Sequence, residues 1–469
     1  MPFDNHQPAV FPSSKLYYIA ASVLILYWLL LLFPQIAQGY GIGLDQSWIY
    51  ALSYFPGSAF LFGRDVAFTF GPLGYLWSPA PIGAVFLKAA LIKLAAYLLL
   101  AAIMFVYWRE TKNKWALVAF LFFQILLQIF VFGESNTGFF DQHVIFQIGL
   151  LAGLALKGSR WGTVAMVLAA LLAAISLYIK ASNGVAAGAI LGLAGVVLLI
   201  SRREFWKTVL ASWLVYVVAI VLLSLLLLGS LAHLLPWLKA SYEMVRGYSS
   251  TMSLQGPRGN LVRALSAVAI YAGLGVWLIR RRSVAGGMAI ALGGTVFVFF
   301  KAGIVRQDGH ELFLFLYLPM LMSILILLSE SAKVTAICLV CAVAATVLGL
   351  PSRQMHWNQF IAPYPVVKRL ALLETTWGNI TVLSHLEDVR QQLARQSQIN
   401  LLADQLPEGW LKEINRNAQT VDAVPWEINY CPANDLRWNP TPTLQLYTAY
   451  TAWLDNWDAE HFIDRRTPD

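Results

Sequence analysis

The chain has 469 residues, of which 58% are hydrophobic and only 12% are charged, and its net charge is +8. An ordinary soluble domain has about 25% charged residues, so this composition excludes a single water-soluble globule and predicts an integral membrane protein. There are 23 basic and 11 acidic residues before Pro351, and 10 basic and 14 acidic residues from Pro351 onward, so the positive charge lies in the hydrophobic part of the chain. Nucleic-acid binders instead cluster basic residues on polar surfaces, and we therefore exclude nucleic acid as a partner.

Apolar segments of about 17 to 25 residues, the length that lets a helix cross about 30 Å of hydrocarbon, recur along the first 350 positions. We predict an all-α polytopic bundle of about eleven membrane-spanning helices. The first is interpreted as an uncleaved span because no small-residue cleavage site follows it. The predicted segments are 16–36, 84–107, 115–132, 143–156, 162–179, 183–200, 208–230, 261–279, 284–300, 312–329 and 333–350.

Basic residues lie in alternate loops between these segments, and loops rich in Lys and Arg stay on the cytoplasmic side of a membrane. With an odd number of spans, this pattern predicts that the N-terminus is inside and that the segment 351–469 is outside. The long loops 37–83 and 231–260 are then outside as well. The basic residues that carry this prediction are Arg109, Lys112, Lys114, Lys157, Arg160, Arg202, Arg203, Lys207, Arg280, Arg281, Arg282 and Lys333.

The segment 351–469 mixes Trp, Pro and charged residues, unlike the apolar region before it. The stretch 387–398 is typical of a helix and the stretch 380–383 of a strand. About 119 residues are enough for a modest core. We therefore predict a transmembrane domain at 1–350 followed by a small extracytoplasmic α/β domain at 351–469.

Polar residues in the first outer loop are a candidate site. Glycine permits tight turns and aromatic residues suit the bilayer interface, so this loop is predicted to be a re-entrant or surface-lying element that holds Asp45, Arg64 and Asp65 at the membrane boundary. In the alternative interpretation, the adjacent Arg64 and Asp65 only neutralise each other. Asp45 has no adjacent cation in the sequence.

A second polar cluster extends from Glu134 to His143, between the third and fourth predicted spans. Asp141 and His143 are two residues apart and can share a cation if the backbone is extended or turning, because carboxylate and imidazole groups are common metal ligands. The alternative is an outer loop with solvated polar groups. The sequence thus suggests an optional site for a divalent metal, Mg²⁺ or Mn²⁺.

The third cluster follows the ninth predicted span and contains Lys301, Arg306, Asp308 and His310. Arg grips phosphate with a planar fork and Lys adds a point charge, so these residues predict a site for an anionic headgroup. Interfacial snorkelling is an alternative that accounts for Lys301 but not for three polar residues in one short loop. Further basic residues on the same side can add to the positive electrostatic potential of this site or be ordinary solvated groups. They are Lys180, Lys239, Arg246, Arg258 and Arg263.

This arrangement, with an Asp in the first outer loop, an acidic motif after the third span and an outer C-terminal domain, resembles the GT-C superfamily of integral membrane glycosyltransferases. Within that superfamily, the chain is similar to a bacterial branch. The strings that carry the likeness lie at 43–48, 62–65, 68–74, 301–310, 421–426, 438–445 and 447–451.

The resemblance implies a polyprenyl-phosphate-linked sugar donor whose phosphate binds at the outer face, and inversion at the anomeric carbon. It implies that Asp45 is the catalytic base, with Asp65 as a second catalytic candidate. Asp141 and His143 match the second-motif position, but Asp45 is a lone carboxylate where several relatives have an acidic pair, so no cofactor is required and a metal stays optional. The lipid phosphate or sugar is expected to contact Arg64, Lys180, Lys301, Arg306, Asp308 and His310.

We therefore expect a glycosyltransferase of a bacterial inner membrane whose active site faces the periplasm or exterior. Its partners are the lipid-linked donor, membrane lipids and a glycan, lipid or protein acceptor. A transporter or flippase of lipid-linked glycans is the alternative, because basic residues in the membrane also mark paths for anions. A noncatalytic scaffold is the third interpretation, in which the C-terminal segment recruits a partner.

Overall fold

The computed structural model describes residues 15–34, 39–132, 140–353, 366–416, 419–463 and 468. Within these ranges the chain is mainly helical, and a helix lies in each apolar segment that the sequence predicts. The helices of the first 350 residues are α1 (Lys15–Leu31), α2 (Leu44–Tyr54), α3 (Val85–Glu110), α4 (Lys114–Leu126), α5 (Phe140–Lys157), α6 (Gly162–Ile179), α7 (Ala181–Ser201), α8 (Trp206–Leu227), α9 (Leu234–Thr251), α10 (Arg258–Arg280), α11 (Val284–Val305), α12 (Leu312–Leu327) and α13 (Ala332–Gly349).

The apolar helices make this chain a multi-pass integral membrane protein, as predicted. Among the described residues, 7 helices are long and apolar enough to cross a membrane, and shorter apolar helices lie at Tyr17–Leu31, Lys114–Ile129 and Leu312–Leu327. Helices suit a bilayer because hydrogen bonds within the segment satisfy most of its backbone groups. The number of crossings and the orientation of the bundle stay predictions.

Two apolar helices differ sharply in burial. Every residue of α12 from Leu314 to Leu327 is buried, whereas α8 buries only a sparse set of small and polar residues and Val209. Side chains on α12 also make polar contacts inside the bundle, for example Ser323, whose Oγ accepts a hydrogen bond of 2.6 Å from Gln124 Nε2. Such interhelical hydrogen bonds help to hold helices together where the surroundings are uniformly apolar.

The C-terminal segment 351–469, called the tail below, is built mostly from short helices. They are α14 (Val366–Ser384), α15 (Leu386–Asn400), α16 (Glu408–Arg416), α17 (Tyr430–Ala433) and α18 (Ala452–Ile463). In the described part of the tail, the only strands are β1 (Thr420–Val421) and β2 (Arg437–Trp438), which pair in parallel. An α/β domain is therefore not confirmed.

One local prediction in the tail is confirmed and one is wrong. The predicted helix at 387–398 lies within α15. The predicted strand at 380–383 is instead the end of α14. Its apolar side chains Ile380 and Leu383 pack against Phe33 and Ala90 of the bundle. Residues three apart lie on one face of a helix, and an apolar run of only four residues does not distinguish a helix from a strand.

The tail is docked on the first long loop of the bundle. Asn429 donates a hydrogen bond to the carbonyl of Gly41, and the Ala67 amide donates to the Pro442 carbonyl over 2.7 Å. Trp438 stacks on Phe55 with ring centroids 5.4 Å apart. These contacts hold the tail against that loop, and Gln445 Nε2 donates to the Leu44 carbonyl at the start of α2 over 3.1 Å.

Candidate functional site

Asp45 lies in the first turn of α2. Gly43 precedes this helix with a φ of 104°, a conformation that glycine adopts without steric cost. The Asp45 side chain is exposed, and its Oδ1 accepts a hydrogen bond of 3.0 Å from Trp48 Nε1. A carboxylate is favoured at this position because the helix dipole is positive at the N-terminus. Asp45 is therefore an oriented and accessible carboxylate.

Aromatic rings extend from Asp45 towards Lys180. Trp48 stacks on Phe70 with ring centroids 5.1 Å apart. Phe70 is placed by Gly71, whose amide donates to the Ile179 carbonyl over 2.9 Å. A Cβ on Gly71 would lie 2.4 Å from the Tyr178 carbonyl oxygen, so only glycine allows this close approach.

Lys180 lies at the junction of α6 and α7 and is half-buried. Its Nζ is 4.6 Å from the centroid of the Phe70 ring and 5.9 Å from that of Phe313. Phe313 in turn lies beside the His310 ring, at 6.1 Å between centroids. Lys180 therefore connects the aromatic surroundings of Asp45 with the loop that carries His310. Phe70 and Phe313 are called the aromatic floor below.

The loop between α11 and α12 joins three of the predicted residues. Arg306 Nη2 lies 2.8 Å from Asp308 Oδ2, and His310 Nδ1 lies 2.9 Å from Asp308 Oδ1. Burial alone would raise the pKa of Asp308, but the hydrogen bonds from Arg306 and His310 outweigh it and lower that pKa. Asp308 is thus an ionised counter-ion that orients a guanidinium and an imidazole. The loop is paired with the chain at Leu254, whose carbonyl accepts the Gln307 amide over 3.0 Å.

Tyrosines of α9 and the tail close this region. Tyr248 of α9 is hydrogen-bonded to Arg306, and its ring lies edge-on to Tyr450 with 5.9 Å between centroids. A Cβ on Gly247 would lie 2.4 Å from the Tyr450 Cβ, so α9 and the tail are in close contact there. The tail therefore reaches the loop of Arg306.

Tyr447 of the tail connects the surroundings of Asp45 with those of Arg306. Its hydroxyl donates to Gln445 Oε1 over 2.8 Å, and Gln445 Nε2 donates to the Leu44 carbonyl over 3.1 Å, next to Asp45. The pKa of Tyr447 is raised to about 12, mainly by burial and next by the charge of Asp45, while the charge of Arg306 opposes the rise. Tyr447 is therefore neutral at physiological pH and within electrostatic range of both Asp45 and Arg306.

These residues form one cluster with mixed chemistry. An exposed carboxylate can accept a proton from a hydroxyl group, and guanidinium and imidazole groups can stabilise an anion. Tyrosine hydroxyls add hydrogen-bonding groups between them. The cluster, called the mouth cluster below, consists of Asp45, Tyr248, Arg306, Asp308, His310, Tyr447 and Tyr450.

Arg64 and Asp65 form a closed ion pair within their own loop. Arg64 Nη2 lies 2.6 Å from Asp65 Oδ2, and the same oxygen accepts the Leu61 amide over 2.8 Å. Both residues line a small cavity of about 130 Å³ together with tail residues that include Trp457 and His461. This geometry fits the alternative in which the two charges neutralise each other and fix the loop.

Lys301 lies within α11 and not in the loop that follows. The helix continues to Val305, five residues beyond the predicted end of the span, and Lys301 is exposed on it. Its predicted role in phosphate binding stays a prediction. Only Arg306, Asp308 and His310 of the third predicted cluster lie together in the loop.

Asp141 and His143 both lie in the first turn of α5. Residues two apart on a helix project about 200° from each other, so the extended backbone that a shared cation requires is absent at these positions. Asp141 instead accepts a hydrogen bond of 2.6 Å from Asn183 Nδ2. Glu134, in the same polar stretch, is outside the described residues. Across the described ranges, no group of three or more His, Cys, Asp or Glu side chains is placed to hold a metal, so the optional metal gains no support there.

Several residues of this region do not follow from the sequence prediction. Tyr248, Gln445, Tyr447 and Tyr450 come from parts of the chain about 200 or 400 residues away from Asp45, and no local pattern indicates their contact. The tail strings at 438–445 and 447–451 contribute to the family resemblance, but they do not indicate which other residues they contact.

The chain matches no family model, no curated protein and no solved structure. Its likeness to the GT-C superfamily therefore stays a prediction based on the sequence strings and the layout of the spans. The chemistry of the mouth cluster is the ground on which a function can be proposed.

Proposed function

We propose that the protein is a GT-C-type glycosyltransferase of a bacterial inner membrane. It moves a sugar from a polyprenyl-phosphate-linked donor to a glycan, lipid or protein acceptor on the extracytoplasmic side. The observation that carries this proposal is the meeting of Asp45 and Arg306 around Tyr447. A displacement at a sugar phosphate needs a proton acceptor and a stabilising field for the leaving phosphate in the same site.

Asp45 acts as the general base in the proposed reaction. Its carboxylate takes the proton from the acceptor hydroxyl while that oxygen attacks the anomeric carbon of the donor sugar. The bond between the anomeric carbon and the phosphate oxygen breaks, and the electron pair stays with the lipid phosphate. An inverted glycosidic bond and a free polyprenyl phosphate result. The exposure of Asp45 supports this role, because a base must come within hydrogen-bond reach of its substrate.

Arg306 and His310 stabilise the phosphate as its negative charge develops. Asp308 keeps both groups in one orientation through its two hydrogen bonds, and a preorganised donor needs no rearrangement during the reaction. Lys180 adds positive charge from the aromatic floor. Arg64 and Asp65, as a closed pair, are better suited to holding the loop than to exchanging protons.

The test is a transfer assay with the purified full-length chain and a panel of synthetic polyprenyl-phosphate sugars. We expect one donor class to yield free polyprenyl phosphate and a glycosylated acceptor, with and without a metal chelator. A folded Asp45→Asn protein that keeps full transfer activity would remove the proposed base. Movement of labelled lipid across vesicles without a change in its sugar linkage would support the transporter instead.

A further inference from the structure

The tail contains a cavity that the proposed transfer reaction does not use. Its volume is about 490 Å³, which is within the range of small-molecule binding sites. The cavity, called the tail cavity below, lies between α15, the segment that follows α15, α16 and α17. Its lining residues are Gln398, Gln405, Leu406, Leu411, Pro432, Ala433, Asn434 and Asp435.

Asn434 holds the walls of the tail cavity together. Its Oδ1 accepts a hydrogen bond from the Leu406 amide over 2.8 Å, and its Nδ2 donates to the carbonyls of Asp404 and Tyr430 over 2.9 and 2.8 Å. These bonds join the segment after α15 to α17. The cavity is therefore preformed, and a ligand does not have to order it on binding.

The lining combines uncharged polar groups with apolar ones. The side chains of Gln398 and Gln405 are exposed, and each amide has two donor hydrogens and an acceptor oxygen. Leu406 and Leu411 are half-buried and supply apolar surface. A pyranose ring has the same two aspects, because hydroxyl groups that donate and accept lie around its edge and C–H groups lie on its faces. The lining therefore matches a sugar.

The charge of the tail cavity disfavours an anion. Among the described residues that line the cavity, Asp435 is the only charged one. Its carboxylate can accept hydrogen bonds from sugar hydroxyls, whereas it repels phosphate and carboxylate groups. In the mouth cluster, by contrast, Arg306 and His310 suit an anion. The two sites therefore select ligands of different charge.

An exposed tryptophan adjoins the tail cavity in the sequence of α16. Trp410 is 66% exposed, although tryptophan side chains are on average highly buried. It directly precedes Leu411, which lines the cavity. Its ring offers a flat apolar face and an N–H donor, and the C–H face of a sugar packs well on such a ring. Trp410 is thus a second feature that favours a sugar ligand.

The backbone around the tail cavity disfavours a peptide ligand. Among the described residues that line the cavity, none belongs to a strand. An extended peptide commonly binds by adding a strand to a sheet edge, which gives it main-chain hydrogen bonds. The tail cavity offers side-chain amides in place of such an edge.

The tail cavity lies on elements that dock on the helical bundle. Ser397, next to Gln398 on α15, accepts the Tyr40 amide at its Oγ over 3.0 Å. Asn400 Nδ2 donates to the Tyr40 carbonyl over 3.2 Å. A ligand in the tail cavity is therefore fixed to the same loop that leads to Asp45.

We propose that the tail cavity binds a neutral oligosaccharide, with Gln398, Gln405 and Asp435 as hydrogen-bonding groups and Trp410 as the stacking ring. This inference goes beyond the proposed function, because the tail cavity is a non-catalytic site whose chemistry does not depend on sugar transfer. Its consequence is that a neutral glycan chain is held against the tail.

The first experiment measures binding to the full-length protein in lipid nanodiscs, because sugar-based detergents would compete with the ligand. The neutral probes are isomaltohexaose, cellohexaose and mannohexaose. Hexagalacturonate is the anionic probe and hexaglycine is the peptide probe. We expect at least one neutral hexasaccharide to bind at millimolar concentration or below, and hexagalacturonate and hexaglycine to bind more weakly.

The double variant Gln398→Ala, Gln405→Ala should weaken binding of that hexasaccharide by about tenfold or more, since the hydrogen bonds of two amides are lost. Gln391→Ala is the matched control, because Gln391 is also exposed on α15 and its Nε2 donates to Glu387 over 3.0 Å. Trp410→Ala should weaken binding as well, whereas Trp377→Ala, at a 70% exposed position of α14, should not. Melting temperatures of all variants are measured alongside.

Asp435→Asn tests the selection against anions. Asp435 has a φ of 53°, a left-handed conformation that Asn also adopts readily. The variant therefore removes the charge and keeps the backbone. We expect the affinity for hexagalacturonate to rise relative to that for the neutral hexasaccharide. An unchanged ratio of the two affinities would contradict the role of Asp435 in this site.

Three further results would each overturn the proposal. The first is that none of the neutral hexasaccharides binds. The second is equal affinity for them in wild type and in the folded double variant. The third is that hexagalacturonate or hexaglycine binds more tightly than every neutral probe.

Failure of this inference can be told apart from failure of the proposed function. Hexasaccharide binding that depends on Gln398 and Gln405, with no sugar transfer from any donor, contradicts only the transferase. Sugar transfer by a protein that binds no neutral hexasaccharide contradicts only the tail cavity as a glycan site.

Discussion

Two aspartates of the same loop have opposite surroundings. Asp65 accepts hydrogen bonds from Arg64 and from the Leu61 amide, so its carboxylate is used to fix the loop. Asp45 is exposed, accepts one hydrogen bond from Trp48 and lies next to Tyr447 of the tail. A carboxylate held in an ion pair supports structure, whereas an accessible carboxylate is suited to proton transfer.

The largest expected effect is that of Asp45→Asn. It should lower the transfer rate by about 10² to 10⁴, the usual contribution of a general base, because an amide cannot accept the proton. Asp65→Asn is the matched variant and should lower the rate much less. Turnover and thermal stability are measured for both proteins. Equal losses of activity in two folded variants would end the distinction between these aspartates.

Arg306→Gln tests the cationic side of the mouth cluster. We expect turnover to fall by about 10² to 10³, because a donor aimed at developing charge is lost. Arg246→Gln is the control, since Arg246 is largely exposed and only 3.7 Å from Glu243 on the surface of α9. Comparable turnover in the two variants would separate Arg306 from the reaction.

Tyr447→Phe tests whether the tail completes the site. Loss of the hydroxyl that donates to Gln445 should lower turnover by about tenfold, because one hydrogen bond that positions the tail beside Asp45 is removed. Tyr242→Phe, at an exposed position of α9, is the control. Michaelis constants and turnover are measured separately. Equal turnover in Tyr447→Phe and wild type would restrict the site to the loops of the bundle.

Asp458 of α18 is a third aspartate, and unlike Asp45 it is buried. Burial raises the pKa of Asp458 to about 6, although the Thr443 amide and hydroxyl donate to it. Because the pKa is higher in the folded than in the unfolded protein, its contribution to stability is fully present below the unfolded value and is lost as the pH rises through about 6.

Asp458→Asn should therefore remove this loss. Between pH 4 and pH 7, the free energy of unfolding of wild type should fall by about 1 kcal/mol relative to that of the variant. An Asn side chain keeps an oxygen that accepts from the Thr443 amide. The measurement is the difference in melting temperature between wild type and Asp458→Asn across this pH range. A difference that does not change with pH would contradict the raised pKa.

Much of the helical framework was predictable, because helix formation in a bilayer depends on local length and apolar composition. Helices lie in all the predicted apolar segments within the described residues, and α15 contains the helix predicted at 387–398. The burial of α12 and the exposure of α8 were not predictable. Lipid and protein interior are similarly apolar, so hydropathy does not distinguish them.

The sequence by itself determined that this chain is a helical membrane protein and that Arg306, Asp308 and His310 lie close together, because they share one short loop. Only the tertiary structure decided that Tyr447, about 400 residues from Asp45, lies beside it. Likewise, Asp141 of α5 accepts a hydrogen bond from Asn183 of α7 only because these two helices pack together. Local patterns cannot encode these contacts, since they depend on how the tail and the helices dock after each has formed.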